Sequence, residues 1–239
     1  MTTDADLIRQ ATEANQALGV AGHSDMVWGH ASVRDPEGRG IWMKASGWAF
    51  EEITEERVLL VAPDGDVLAG EGKRHIEYPI HTRVMAARPD VGAVVHSHAA
   101  SAVAFASLDR PLRPVSHDAV SFVDPDVPRF TRSGALITDT ELGDALAEAL
   151  GDAAGLLIPG HGLVTVGATP GQAVMRAVLL NRACATQLLA EAVGGPARWS
   201  DDEEVLLKRD TVAHPSQLEV GYEYLVRRAR AGAFPVTPI

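Results

Sequence analysis

The chain of 239 residues contains one cysteine, Cys184, so no disulfide bond can form within it. Basic side chains are also scarce, because 21 Lys and Arg stand against 32 Asp and Glu and leave a formal net charge of −11. Binding to nucleic acid or to an anionic membrane surface needs a basic patch, so this charge argues against both kinds of partner.

Long apolar segments are absent as well. No run approaches the roughly 18–20 residues of a membrane-spanning helix, and the first residues lack the basic and apolar segments of a secretory signal. Together with the single cysteine, this pattern predicts a protein of the reducing cytoplasm.

The composition that remains is that of an ordinary globular protein. Hydrophobic residues make up 46% of the chain, and a chain of this length can bury one sizeable core without disulfide support. No stretch has the composition of a linker, so we predict a single domain over residues 1–239.

Apolar periodicity and turn residues predict interleaved helices and strands. We expect helices over residues 4–18, 77–87, 99–107, 141–150, 170–193 and 216–230. We expect strands within residues 27–43 and over 58–62, 67–69, 91–98, 156–158 and 163–166. Because several connections are tight hairpins, the predicted sheet is mixed, with helices on its faces.

Nine histidines stand out, several of them in short motifs. His96 and His98 are two residues apart at the end of an apolar strand, where they would share one face of the sheet. Two imidazoles on one face can bind one metal ion. The alternative is a pair of polar residues that only mark the end of the strand.

His161 and Glu77 each have an ordinary explanation when taken alone. His161 lies in the turn 159–162, which would also suit an exposed hairpin, and Glu77 is an acidic residue at a helix start, where the macrodipole favours it. Together with His96 and His98, they match a catalytic divalent-metal site with exchangeable positions. Zinc is the first expectation for three imidazoles, and manganese, iron or cobalt are the alternatives.

These residues lie in segments that resemble the class II aldolase/adducin family, which includes fuculose-phosphate aldolase and ribulose-phosphate 4-epimerase. The resemblance covers about residues 5–195 and is specific as an ordered set of motifs. The matching segments are 29–34 (GHASVR), 45–47 (ASG), Glu77 with the helix to 88–90 (RPD), 93–98 (AVVHSH), 156–162 (LLIPGHG) and the helix after 169–170 (TP).

The resemblance implies a three-layer αβα sandwich around a mixed, largely antiparallel sheet. It implies that His96, His98 and His161 bind the metal ion and that Glu77 is a metal ligand or a proton-transfer base. It also implies a homo-oligomer, usually a tetramer, with active sites at subunit interfaces.

A catalytic acid from the neighbouring chain often completes such sites. The nearest candidates here are His117 and Asp118, although the match in this region is approximate. A C-terminal tyrosine serves some members, and Tyr222 and Tyr224 are candidates. The alternative for both tyrosines is an aromatic helix face that packs on the core.

The sequence departs from the sugar-phosphate members where they bind phosphate. His30 replaces an Asn and 75–76 (HI) replaces a Ser pair, whereas the Ser-Gly element survives as Ser46 and Gly47. The basic run 73–75, with Arg74 and His75, would suit either a carboxylate substrate or bulk solvent. The candidate substrate-binding residues are His30, Ser46, Gly47, Arg74 and His75.

These departures favour a small or aromatic carboxylate over a sugar phosphate. We therefore expect a metal-dependent carbon–carbon lyase, a decarboxylase similar to the dihydroxyphthalate decarboxylases, that stabilises an enolate. The alternatives are a sugar-phosphate aldolase or epimerase, an oxygen-dependent iron enzyme on the same scaffold, and a non-catalytic, adducin-like interaction module.

Overall fold

A computed structural model describes residues 2–123 and 125–235 of the chain. The helices in these residues are α1 Asp4–Val20, α2 Tyr78–Ala87, α3 Ala100–Ala106, α4 Thr140–Leu150, α5 Pro170–Ala192, α6 Asp202–Val212 and α7 Pro215–Arg230. The strands are β1 His30–Arg34, β2 Ile41–Lys44, β3 Val58–Val61, β4 Val67–Ala69, β5 Ala93–Ser97, β6 Gly155–Ile158 and β7 Gly162–Gly167. Short 3-10 helices cover Phe50–Glu52, Glu55–Arg57 and His117–Ala119.

The strands form one sheet in the order β4-β3-β2-β1-β5-β7-β6, and each neighbouring pair is antiparallel. A single parallel bridge, between Arg129 and Leu157, lies outside these pairs in the described residues. The predicted, largely antiparallel sheet is therefore confirmed. β5 lies near its centre, where His96 pairs with His30 of β1 and Ser97 pairs with Leu163 of β7.

Helices cover both faces of the sheet. Val95 of β5 packs in the cluster that contains the side chains of α1, α3 and α5, whereas Val94 packs in the cluster that contains α2 and α4. Because side chains alternate along a strand, His96 points to the same face as Val94, toward α2. The three-layer αβα sandwich implied by the resemblance is confirmed.

The C-terminal helix α7 extends the layer formed by α1 and α5. Leu225 and Val226 of α7 join the same buried cluster, Arg230 forms an ion pair with Glu13 of α1, and Glu219 accepts a hydrogen bond from the Thr169 hydroxyl that precedes α5. Among the described residues, no helix combines the length and apolarity needed to cross a bilayer.

α6 is the one described α-helix that the sequence patterns do not predict. Among its side chains only Val205 is buried, so the segment has almost no apolar periodicity. Its N-terminus nevertheless carries a recognisable signal, because the Asp201 side chain accepts from the Glu204 amide and three acidic residues follow in the first turn.

Candidate active site

Four side chains converge at the end of β5. Glu77 precedes α2, His96 lies on β5, His98 follows that strand, and His161 lies in the β6–β7 turn. One donor atom from each lies within 4.8 Å of the others. Metal–ligand bonds of about 2.0–2.2 Å place two ligand atoms roughly 3–4.5 Å apart, so the spacing suits one ion.

His96 and His98 each direct an imidazole lone pair toward the point where the four side chains converge. His96 donates from Nδ1 to the Leu163 carbonyl at 2.9 Å, and His98 Nδ1 lies 2.9 Å from an Asp25 carboxylate oxygen. With a proton on each Nδ1, both Nε2 atoms are bare, and they lie 3.1 Å apart. The strand ends at Ser97, so the prediction that both histidines lie on it is wrong for His98, although the rings still converge.

His161 is placed by a close approach of two backbones. A Cβ atom on Gly162 would lie 2.4 Å from the Ser97 carbonyl oxygen, so only glycine lets the turn sit against the end of β5. Both ring nitrogens of His161 are buried and have no hydrogen-bond partner among the described residues. An unpaired buried polar group costs about 1–3 kcal/mol, so these nitrogens need a ligand.

Glu77 supplies the negative charge of the site. One oxygen accepts from the Ile137 amide at 2.8 Å, and the two oxygens lie 3.6 and 3.7 Å from the Nε2 atoms of His161 and His96. Burial opposes ionisation, but the two histidines and the Ile137 amide outweigh it and lower the pKa of Glu77 to about 2. Burial also lowers the pKa of His96 to about 3, so this histidine is neutral.

A buried carboxylate among bare imidazole nitrogens is a set that a divalent cation satisfies. The residues present therefore fit the metal ion that the resemblance implies. Asp25, which orients His98, is not among the residues predicted from sequence, because no local pattern connects residues 73 positions apart. A carboxylate that holds a ligand histidine is a common outer partner of metal sites.

A second group of histidines lies beside the first. The His30 ring centroid is 5.2 Å from that of His96, 4.4 Å from that of His75 and 4.8 Å from that of His81. Burial lowers the pKa of His75 and His81 to about 3 and lowers that of His30 well below 6.5. The wall next to the site is thus made of neutral imidazoles, of which His81 was not predicted from sequence.

The other predicted substrate-binding residues lie on connecting segments. The Ser46 amide donates to the Lys73 carbonyl at 2.7 Å, and Gly47 is exposed with φ of +91°. The Arg74 guanidinium donates to the Gly65 carbonyl at 2.5 Å and lies 4.2 Å from the centre of the Tyr78 ring. Arg74 therefore has partners within its own segment of the chain.

The proton-donor candidates lie beside α5. Asp118 pairs with Arg182 of α5 at 3.2 Å, and His117 is exposed. No hydrogen bond or ion pair between described residues connects either of them to the four converging side chains. Tyr222 packs on the buried cluster of α1 and α5, whereas Tyr224 is exposed and accepts from Arg228 at 3.1 Å.

Lys44 is a further residue that sequence reasoning missed. Its side chain is fully buried, and its ammonium group donates to the carbonyls of Val27 and Trp48. The first of these carbonyls follows Asp25 by two residues, and the second follows Gly47. Lys44 thus ties the loop that supports His98 to the loop of the predicted Ser-Gly element.

Residues 9–188 match the family described as "Class II Aldolase and Adducin N-terminal domain", and the chain belongs to this family. Decarboxylase NovR of Streptomyces niveus is 35% identical over 195 residues, which are 80% of this chain and 71% of that protein. The 3,4-dihydroxyphthalate decarboxylase of Arthrobacter keyseri is 27% identical over 201 residues, 79% of this chain and 77% of that protein.

Another relative has a name that includes oxygen chemistry. The 4-hydroxy-3-prenylphenylpyruvate oxygenase/4-hydroxy-3-prenylbenzoate synthase of Streptomyces roseochromogenus subsp. oscitans is 35% identical over 176 residues, 72% of this chain and 62% of that protein.

Among solved structures, the L-fuculose 1-phosphate aldolase from Glaciozyma antarctica PI12 superposes with a TM-score of 0.82 at 28% identity, over 94% of this chain and 88% of that one. The family membership expected from the motifs is therefore confirmed. With decarboxylase relatives and an aldolase as structural neighbour, the chain is a lyase.

Proposed function

We propose that the protein is a divalent-metal-dependent decarboxylase of a hydroxy-aromatic acid or a hydroxy or keto acid. The observation that carries this proposal is the position of a buried Glu77 carboxylate and three ligand-ready histidines beside a wall of neutral imidazoles. The family resemblance implies that His30 and His75 of this wall stand where sugar-phosphate members have small polar residues that bind phosphate. The decarboxylase names of two relatives agree with it.

In this proposal His96, His98 and His161 hold the metal ion, with zinc as the first expectation. Glu77 is a fourth ligand or a proton-transfer base. The ion, when bound, supplies electrostatic stabilisation of the oxyanion charge that develops as CO2 departs. Glu77 carries a full charge in this buried site, so it compensates the cation before substrate arrives.

In this proposal His30 and His75 orient the substrate. Ser46 and Gly47 bind it from the loop that follows β2. The Ala45 carbonyl faces the His75 ring, and the buried His75 Nε2 has no partner among the described residues. A ring proton held by the Ala45 carbonyl leaves Nε2 as an acceptor, which suits a substrate hydroxyl. Arg74 also belongs to the set predicted from sequence, but its guanidinium is occupied by Gly65 and Tyr78.

The proton that replaces CO2 comes in this proposal from His117 or Asp118 of a neighbouring subunit. Within one chain these residues lie at the α5 surface, so their use requires a homo-oligomer, expected to be a tetramer. Mass photometry of the purified protein tests this assembly. A monomer that retains full activity would contradict it.

Two other activities remain as alternatives with specific support. A sugar-phosphate aldolase or epimerase is supported by the retained Ser46 and Gly47 and by the aldolase neighbour. An oxygen-dependent iron enzyme is supported by the oxygenase relative. A non-catalytic adducin-like module is disfavoured because all four converging side chains are present.

The deciding experiment starts with protein purified from cytoplasmic extract without chelator. Its metal content is measured first, and the absence of a stoichiometric divalent ion would contradict the proposal. Hydroxy-aromatic acids, keto acids and sugar phosphates are then screened, with CO2, aldehyde and oxygen uptake measured in parallel. We expect CO2 release without oxygen uptake, and His96→Ala as the inactive control.

A further inference from the structure

We propose that His81 and Ser32 form a positioning pair that fixes the tautomer of His30, so that His30 Nε2–H donates a hydrogen bond to the anionic group of the substrate. The inference rests on the proposed function for the negative charge of that substrate. The contacts among His30, Ser32 and His81 are those of the protein without substrate. His81 would act only through His30 and would touch neither substrate nor metal.

The pair is built from two elements of the fold. His30 and Ser32 are two residues apart on β1, so their side chains share the face that α2 covers. His81 reaches down from α2 to both of them. Its Nε2 lies 2.6 Å from His30 Nδ1, and its Nδ1 lies 2.7 Å from the Ser32 hydroxyl.

All three side chains are shielded from water, with exposed fractions of 2%, 1% and 0% for His30, Ser32 and His81. A neutral imidazole has one donor and one acceptor nitrogen. A 2.6 Å contact between two nitrogens holds one proton, so the tautomer of His81 dictates that of His30. The free edge of the His30 ring is then Nε2, which no described residue occupies.

The direction of these hydrogen bonds depends on whether His81 Nδ1 accepts or donates. If the Ser32 hydroxyl donates to His81 Nδ1, then His81 Nε2–H donates to His30 Nδ1, and His30 carries its proton at Nε2. The Val94 carbonyl also faces His81, and a proton on His81 Nδ1 would reverse the chain. His30 Nε2 would then be an acceptor, which repels a carboxylate, so an anionic substrate requires the first direction.

The direct test is nitrogen NMR of protein labelled with 15N-histidine, without metal or substrate. We expect the His30 signals of an Nε2–H tautomer, and we expect Ser32→Ala to convert them to a mixture. An Nδ1–H tautomer of His30 in the parent protein would overturn the proposal. Because this measurement needs no turnover, it holds even if the substrate screen contradicts the decarboxylase assignment.

The kinetic test uses His81 variants on the acid that the screen identifies. His81→Leu should raise KM at least tenfold with metal content unchanged. His81→Gln, whose amide can donate from the position of Nε2, should recover most of that loss, whereas His81→Asn should not. Ser32→Ala is the milder variant if His81→Leu fails to fold.

A double-mutant cycle distinguishes the positioning of His30 by His81 from a general structural role of His81. In a His30→Ala background, His81→Leu should have no further effect on KM, because the residue through which it acts is gone. Thr165→Val is the matched control, since it removes a buried strand hydroxyl that bonds the Ala173 carbonyl on the opposite face of the sheet. Additive losses, or a loss equal to that of the control, would overturn the proposal.

Discussion

His96 and His98 face each other through their Nε2 atoms at 3.1 Å, although each ring already has a proton acceptor at Nδ1. The Leu163 carbonyl and the Asp25 carboxylate fill the Nδ1 positions, so two lone pairs meet where a hydrogen bond would need a proton. In these tautomers the two lone pairs are placed to bind a single cation. The first prediction compares His96 with His161, whose ring nitrogens have no such hydrogen-bond partners among the described residues.

His161→Ala and His96→Ala should both abolish stoichiometric metal binding but should differ in the metal-free protein. His161→Ala removes two buried nitrogens without hydrogen-bond partners among the described residues and a 3.6 Å contact with the Glu77 carboxylate, so the free energy of unfolding should fall less than in His96→Ala. His96→Ala removes the hydrogen bond from a fully buried ring to the Leu163 carbonyl, which should cost about 0.5–1.5 kcal/mol. Denaturant unfolding with chelator, together with elemental analysis, measures both quantities. Equal destabilisation by the two variants would contradict the assignment of His161.

Asp25→Asn should weaken metal binding while leaving all direct ligands in place. The His98 ring would lose its charged partner, and loss of such an outer carboxylate typically lowers metal affinity by about 10–100-fold. Competition titration with a chromophoric chelator measures the change. Asp66→Asn, at an exposed position before β4, is the charge-matched control and should leave the affinity as in the parent.

The metal-free protein should lose stability as the pH falls below 6.5. His23 is buried against the Ser97 hydroxyl at 2.9 Å, and burial lowers its pKa from 6.5 to about 4. Between these values His23 binds a proton in the unfolded chain and not in the folded one, so acid favours unfolding, and the loss that His23 causes levels off below pH 4. A tenfold difference in proton affinity between the two states corresponds to about 1.4 kcal/mol.

Denaturant unfolding between pH 7.5 and 5 tests this dependence in the parent and in His23→Gln. In His23→Gln, the pH dependence of the free energy of unfolding should correspond to uptake of up to one proton fewer than in the parent. The other buried histidines account for the dependence that remains. An identical slope in both proteins would mean that His23 does not stay neutral in the fold.

Arg74→Ala should lower stability rather than substrate affinity. The guanidinium holds the Gly65 carbonyl and stacks on Tyr78, and loss of such contacts typically costs about 1–2 kcal/mol. KM for a carboxylate substrate should stay within twofold of the parent value, and steady-state kinetics beside thermal unfolding separates the two effects. A raised KM at unchanged stability would instead return Arg74 to the substrate site.

The convergence of four candidate metal ligands was predictable from sequence because its members lie in short motifs at element ends. His96, His98 and His161 needed only the strand period and a turn. Asp25 and His81 were not predictable, since each acts through a contact that spans many residues of chain. Local patterns carry no information on which helix will cover which strand.

The same limit applies to Arg74 and to α6. The basic run 73–75 left a carboxylate substrate and bulk solvent as open alternatives for Arg74, and neither pattern indicated its contacts with the Gly65 carbonyl and the Tyr78 ring. For α6, periodicity failed because one buried side chain sets no stripe, although its N-cap chemistry was visible. Capping residues and candidate metal-ligand motifs can be recognised in short stretches of sequence. The contacts that a side chain such as Arg74 makes depend on the tertiary fold.

The docking of α7 has a consequence for how this chain comes to be folded. α7 lies outside the matched residues 9–188, yet it packs on α1 and α5 and pairs Arg230 with Glu13. Because α1 is synthesised before α7, this layer cannot close until α7 has emerged from the ribosome. The earlier part of the sandwich must wait with one apolar face uncovered, and stalled or truncated chains should be early targets for chaperones.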